Sequence, residues 1–194
     1  MSSLRKVVGD AATTLVCTPS MSATDGCQSL LSHADEGTTV IWVSYTRSPA
    51  ACADQYRDAM DGDADEASLL VITVGDTAPD ASQPSDVSVQ SVSAAQDLTG
   101  LGVTLSQTIS AHEDIVLCFD SLTVLMQYVD RETAYEFLNA VTGHLYAADA
   151  RAHFHLDPTA HDRRTVDALA SLFDAIVERE DGEWSVRKRG LLHD

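Results

Sequence analysis

The residues best suited to catalysis or ligand binding lie where two predicted strands end. A first apolar strand, Thr13–Cys17, is followed by a polar loop and then a predicted helix. A phosphate-binding loop there needs glycines for close backbone approach, a lysine for the β- and γ-phosphates and a hydroxyl for Mg²⁺. Ser22 and Cys27 stand in place of the glycines, Gln28 replaces the lysine, and Ser29 keeps the hydroxyl. One of the three requirements is retained, and the alternative is a polar helix-entry loop.

A second candidate group is the carboxylate of Asp120, which closes the apolar strand Asp114–Asp120. A carboxylate at such a strand end holds Mg²⁺ directly or through water in phosphoryl-transfer sites. Asp120 could instead cap the helix predicted from Leu122. No carboxylate that could activate an attacking water follows the second strand, because Ser44–Arg47 stands there.

Two histidines and the cysteines are candidate metal ligands. His153 and His155 alternate on a predicted strand, so their side chains point to the same face. Asp157 and His161 are near in sequence, but spacing alone identifies no partner ligand, and paired, hydrogen-bonded imidazoles are the alternative. We therefore expect no metal site. The cysteines form no C-x-x-C pair, and in a reducing compartment we expect neither a disulfide nor a zinc site; they are Cys17, Cys27, Cys52 and Cys118.

The elements that must position these residues alternate between strand and helix, which predicts an α/β sheet. The predicted strands are Thr13–Cys17, Thr38–Ser44, Leu69–Val74, a short polar strand near Val87–Val92, Asp114–Asp120 and Ala152–Leu156. The predicted helices are Pro49–Met60, Leu98–His112, Leu122–Val129, Arg131–Ala148 and His161–Leu172. Phe173–Glu178 and Trp184–Lys188 form a predicted terminal hairpin. With no repeat or linker, we expect one domain over residues 1–194.

Charge excludes several classes of partner. The chain has 30 acidic and 12 basic residues, a net charge of -18, and only two lysines. Phosphate recognition needs a basic patch, so direct nucleic-acid binding is not expected, nor is docking on an anionic membrane. The N-terminus lacks the apolar core of a secretory signal, and we expect a cytoplasmic protein. Dense carboxylates with little lysine favour adaptation to a high-salt cytoplasm, with an ordinary acidic protein as the alternative.

Several segments resemble a known family. Val116–Thr123, the amphipathic helix behind it and the ending Phe173–Gly190 resemble RecA-superfamily ATPases of the KaiC/GvpD type. Trp42–Pro49 and Arg151–Pro158 resemble a haloarchaeal branch of uncharacterised RecA-like proteins. The resemblance runs from Thr13 to Gly190. It implies a RecA-like three-layer sandwich, with a mostly parallel central sheet and a C-terminal β-hairpin.

The resemblance also implies an interface. In KaiC-like rings, basic residues of the last strand reach the neighbour's γ-phosphate, and alignment on Gly190 puts Arg187 and Arg189 at those positions. With Lys188 between them they form a basic cluster in an acidic chain, and Trp184 is a candidate apolar anchor. We expect self-association or partner binding here; the alternative is a solvated edge strand.

These features together predict a non-catalytic, regulatory or signalling RecA-like protein that acts through protein–protein contacts. Ser22, Gln28, Ser29 and Asp120 would form a vestigial nucleotide site, because Gln28 cannot supply the lysine charge. No cofactor is expected, although ATP with Mg²⁺ could bind. The alternatives are a weakly active ATPase with an unconventional phosphate loop, and a small-molecule sensor that uses the vestigial pocket.

Overall fold

A single eight-stranded sheet organises the chain. The computed structural model describes residues 8–19, 30–31, 37–60, 68–75, 86–180 and 183–188. The strands are β1 (Thr13–Cys17), β2 (Thr39–Ser44), β3 (Ser68–Val74), β4 (Ser88–Val92), β5 (Ile115–Asp120), β6 (Arg151–Leu156), β7 (Ala175–Glu180) and β8 (Glu183–Lys188). They lie in the order β4-β3-β2-β5-β6-β1-β7-β8. Strand β8 runs antiparallel to β7, and the other neighbours are parallel. The predicted α/β class, mostly parallel sheet and terminal hairpin are confirmed.

Helices cover both faces of this sheet. The longer helices of the described residues are α1 (Pro49–Ala59), α2 (Leu98–Ser110), α3 (Leu122–Leu125), α4 (Arg131–Ala147) and α5 (Arg163–Ala170). Helix α3 is shorter than predicted because the N–H groups of Gln127 and Tyr128 bond three residues back, which ends the α-helical pattern. Helix α5 begins two residues later than predicted because Asp162 is its N-cap and accepts a hydrogen bond from the Thr165 N–H at 2.7 Å.

Two apolar layers result from this arrangement. On one side, here the α1 face, Trp42 of β2 packs with Tyr56 of α1. On the other, the α2 face, Phe119 of β5 packs with residues of α2, α4 and α5, including Leu138. Strands β2, β3 and β5 are covered on both faces, which is why they are nearly continuous apolar runs.

The order of the strands creates a crevice at their carboxyl ends. The chain leaves β1 toward β2, β3 and β4 on one side, and later returns through β5 and β6 to β7 on the other. The loop after β2 therefore turns to one face, whereas those after β5 and β6 turn to the opposite face. Open α/β sheets bind ligands outside the strand ends at such a switch point. The crevice at the ends of β1, β2, β5 and β6 is the first place to look for a site.

No helix among the described residues is both long and apolar enough to cross a lipid bilayer.

Candidate functional site

A cavity of about 160 Å³ occupies the switch-point crevice. We call it the carboxyl-edge cavity. Polar and charged groups from all four strand ends converge on it, and converging polar groups at a switch point can orient a ligand. The lining residues are Thr18, Thr46, Arg47, Asp120, Ser121, Val124, His155, Leu156 and Asp157.

An ion pair closes one side of this cavity. Arg47 donates from Nε to Oδ2 of Asp120 at 3.0 Å. The Asp120 side chain is 14% exposed and that of Arg47 is 34% exposed, so the pair is partly shielded from water. Two hydrogen bonds with the Ser44 side chain fix the backbone of Arg47. The Arg47 N–H donates to the Ser44 hydroxyl at 2.9 Å, and that hydroxyl donates to the Arg47 carbonyl at 3.2 Å. Arg47 is thus held in place beside the carboxylate at the end of β5.

The alternative of Asp120 as a helix cap is wrong. Ser121 is the N-cap of α3, and its hydroxyl accepts from the Val124 N–H at 3.3 Å. A cap must present its oxygen to the first turn of the helix, whereas Asp120 presents Oδ2 to Arg47. Asp120 is therefore available to the cavity only together with its arginine partner.

A threonine joins the ends of β5 and β6. Thr123 accepts a hydrogen bond from the Asp157 N–H at 2.9 Å, and its hydroxyl lies 3.2 Å from Nε2 of His161. Burial lowers the pKa of His161, although the nearby Asp157 and Asp162 act in the opposite direction. The wall of the cavity is thus fixed by neutral hydrogen bonds around Thr123.

The remaining candidates of the vestigial nucleotide site, Ser22, Gln28 and Ser29, lie outside the described residues. Within the described part, the structure brings Asp120 together with Arg47, Thr18 and His155. The sequence identifies Arg47 only as part of a segment that lacks a carboxylate and of the Trp42–Pro49 resemblance, and not as a partner of Asp120. The pairing of Arg47 with Asp120 depends on β2 and β5 lying side by side in the sheet, and local sequence does not specify that neighbourhood.

Three buried side chains of types that can bind a metal lie close together on the α1 face. The register of β5 with β6 pairs Cys118 with His153. The ligand atoms of Cys118, His153 and His155 all lie within 4.8 Å of one another. The cluster contains Cys118 in place of the Asp157 and His161 that sequence proximity suggested. Spacing could not identify this third group, because it lies 35 residues earlier in the chain.

The other described cysteines are separate from this cluster. Cys17 and Cys52 are buried, as is Cys118. Burial, with a further contribution from Glu178, raises the pKa of Cys17 to about 12. Cys17 therefore stays protonated and packs as a small apolar group.

The candidate interface residues lie on the edge strand β8, except Arg189, which is outside the described residues. Trp184 is half-buried against its own chain and packs beside the Arg179 guanidinium, which lies 5.4 Å from the ring. Arg187 and Lys188 are exposed, but as consecutive residues of a strand they point to opposite faces. The basic cluster is thus divided between the two sides of the sheet edge.

Charge reversal at this edge tests whether it is an interface. We expect Arg187→Glu/Arg189→Glu to weaken self-association or partner capture at least about tenfold. Trp184→Ala should weaken it too, because part of the indole remains exposed to a partner. The measurement is sedimentation in molar KCl, with Arg163→Glu as a control, since Arg163 is 94% exposed on α5. A monomeric wild type that captures no partner, or assembly unchanged in both variants, contradicts the prediction.

Comparison with known proteins defines the family and the fold. The fold is similar to that of a solved Pyrococcus horikoshii OT3 protein from structural project PH0250, with a TM-score of 0.61, 13% identity, and 97% of this chain and 92% of that chain covered. Among curated proteins, none matches this sequence. The model of a family of unknown function, DUF7504, matches residues 11–179, which include every described residue of the carboxyl-edge cavity. This chain therefore belongs to the DUF7504 family.

Proposed function

We propose that this protein is a RecA-like, non-catalytic regulatory protein that acts through protein–protein contacts in the cytoplasm. The observation that carries the proposal is the ion pair between Arg47 and Asp120, with Nε and Oδ2 3.0 Å apart. In this ion pair Arg47 binds the Asp120 carboxylate, which would hold Mg²⁺ in an active relative. The strand order and the terminal hairpin support the RecA-like part of the proposal.

The ion pair opposes metal binding in two ways. Mg²⁺ prefers oxygen ligands in near-octahedral geometry and binds through one or two carboxylates plus substrate phosphates. Here Oδ2 of Asp120 already accepts from a guanidinium, which must move before a metal takes that oxygen. The positive charge of Arg47 also repels a divalent cation, and this repulsion is stronger in a partly shielded crevice than in bulk water.

Two further parts of the phosphoryl-transfer machinery are missing from the sequence, although Ser29 keeps the hydroxyl. Gln28 takes the place of the phosphate-loop lysine, and Ser44–Arg47 supplies no carboxylate to activate water. Positioning and electrostatic stabilisation provide almost all of the catalysis in this chemistry. We therefore infer that ATP hydrolysis has been lost and that the surface of the domain is what functions.

Nucleotide assays test this proposal directly. In molar KCl with Mg²⁺ and ATP, we expect no steady hydrolysis by the wild type and none by Arg47→Ala, because freeing Asp120 does not replace the missing lysine. Arg57→Ala is the matched control, since Arg57 forms an exposed ion pair with Asp54 and Asp86 far from the crevice. Steady hydrolysis that Asp120→Asn abolishes would overturn the proposal and favour the weakly active ATPase.

The carboxyl-edge cavity favours one second candidate, a small-molecule sensor. A space of about 160 Å³ that is lined by both a cation and carboxylates can orient a polar ligand. ATP or ADP binding without hydrolysis, lost in Arg47→Ala but kept in Arg57→Ala, would support the sensor. No nucleotide binding, together with capture of a protein partner through the β8 edge in high salt, would support the regulatory protein.

A further inference from the structure

We propose that Cys118, His153 and His155 form a zinc site, buried between β5 and β6 on the α1 face. Zn²⁺ would take the cysteine sulfur and one nitrogen of each histidine, and a fourth position would remain for water or an added ligand. This inference goes beyond the proposed function and does not depend on it, because metal binding is measured without nucleotide or partner.

Strand geometry brings the three ligands together. Cys118 lies directly across from His153 in the parallel register of β5 and β6. His155 follows two residues later, so it projects from the same face as His153. The two imidazole rings are 5.2 Å apart between centroids and nearly perpendicular, at 82°. Both strands lie within the sheet rather than at its edge, so the backbone holds the three Cα atoms rigidly in place.

The distances suit a small tetrahedral ion after a modest adjustment. Zinc binds sulfur at about 2.3 Å and histidine nitrogen at about 2.0–2.1 Å, which places the tetrahedral ligand atoms of this set roughly 3.3–3.6 Å apart. The three ligand atoms here lie within 4.8 Å of one another. Closure by about 1 Å is within reach of rotation about the side-chain bonds of the two imidazoles.

The ligand types select a particular class of metal. One thiolate and two imidazoles form a borderline-soft donor set, which suits zinc and not Mg²⁺ or Ca²⁺. Three protein ligands with one exchangeable position is the pattern of zinc sites that hold a water or substrate, whereas structural sites have four protein ligands. On binding, the Cys118 thiol loses its proton to solvent and the sulfur forms its bond to zinc as a thiolate.

Two cavities give the buried cluster access to solvent. His155 lines the carboxyl-edge cavity, which also contains Arg47 and Asp120. His153 lines a second cavity of about 50 Å³ on the amino-terminal side, beside Thr14 and Arg151. The side chains of the cluster are at most 3% exposed, so a bound ion would be shielded while a water could still approach through one of the cavities.

Zinc titration of the metal-free, untagged full chain in molar KCl tests the proposal. We expect one Zn²⁺ per chain, with affinity at least about tenfold weaker in Cys118→Ser and in His155→Gln. Cys52→Ser is the matched control, because Cys52 is equally buried on the same face of the sheet but outside the cluster. At a hundredfold excess of zinc over its dissociation constant, the Tm of the wild type should rise by about 5–10 °C.

Cobalt substitution identifies the ligands in the wild-type protein itself, so it remains informative if a Cys118 variant fails to fold. Co²⁺ in this site should show the intense tetrahedral absorption and the thiolate charge-transfer band that only a cysteine ligand produces. A variant with Cys118 as its only cysteine (Cys17→Ser, Cys27→Ser, Cys52→Ser) should keep that band. Zinc binding that is equal in Cys118→Ser and Cys52→Ser, a cobalt spectrum without the thiolate band, or no binding at all would each overturn the proposal.

Discussion

Replacing Phe154 with alanine should lower the free energy of unfolding by about 3–5 kcal/mol. Phe154 is fully buried on β6, and its ring lies 4.9 Å from that of Phe173 and 5.6 Å from that of Phe119, between centroids. Truncation removes both aromatic contacts and leaves a cavity that strands hydrogen-bonded on both sides cannot close. In a chain of this length the loss corresponds to a fall in Tm of roughly 6–20 °C.

Denaturant and thermal unfolding in molar KCl measure this loss. Phe154→Leu should cost clearly less, because leucine fills part of the cavity. Tyr135→Ala removes an aromatic ring from the exposed side of α4, and we expect a change within about 0.5 kcal/mol. If Phe154→Ala and Tyr135→Ala had similar effects, Phe154 would not be part of a cooperatively packed core.

The fold was largely predictable because its central strands are buried on both faces. β3 and β5 are apolar runs closed by turn residues or a carboxylate, a pattern that length separates from helices. Helix ends were less predictable. Helix α3 stops after Leu125 because the backbone switches to tighter hydrogen bonds, and its sequence does not signal that change.

Only one residue of the site, the carboxylate at the end of β5, was predictable from the sequence. Asp120 could be identified as a carboxylate at the end of an apolar strand. Two pairings, that of Asp120 with Arg47 and that of His153 with Cys118, depend on which strands lie side by side. Strand order is a long-range property of the fold. Local sequence patterns do not specify strand order, so the sequence yielded candidate groups without their pairs.

Raising KCl from 0.1 M to 2 M should raise the Tm of this protein by at least about 10 °C, because screening relieves repulsion among its carboxylates. The chain has 22 Asp and 8 Glu against 12 Lys and Arg, so most carboxylates have no cation of their own. The Debye length falls from about 10 Å at 0.1 M to about 3 Å at 1 M, which removes most repulsion between neighbouring surface carboxylates. Exposed ion pairs such as Arg57–Asp86 weaken in the same salt, but each contributes little.

Two controls separate screening from a general strengthening of apolar burial. Sucrose favours compact states without screening charge, so it should raise Tm less than KCl does and should not substitute for it. A variant with three exposed acids made neutral (Asp58→Asn, Glu113→Gln, Glu136→Gln) should be more stable than the wild type at 0.1 M KCl and differ little from it at 2 M. Repulsion between carboxylates predicts that the two Tm values converge at 2 M KCl. Salt screens this repulsion in the wild type, and the substitutions remove it from the variant. A Tm that is unchanged across the KCl series would reject salt adaptation, and the acidity would then have no part in folding.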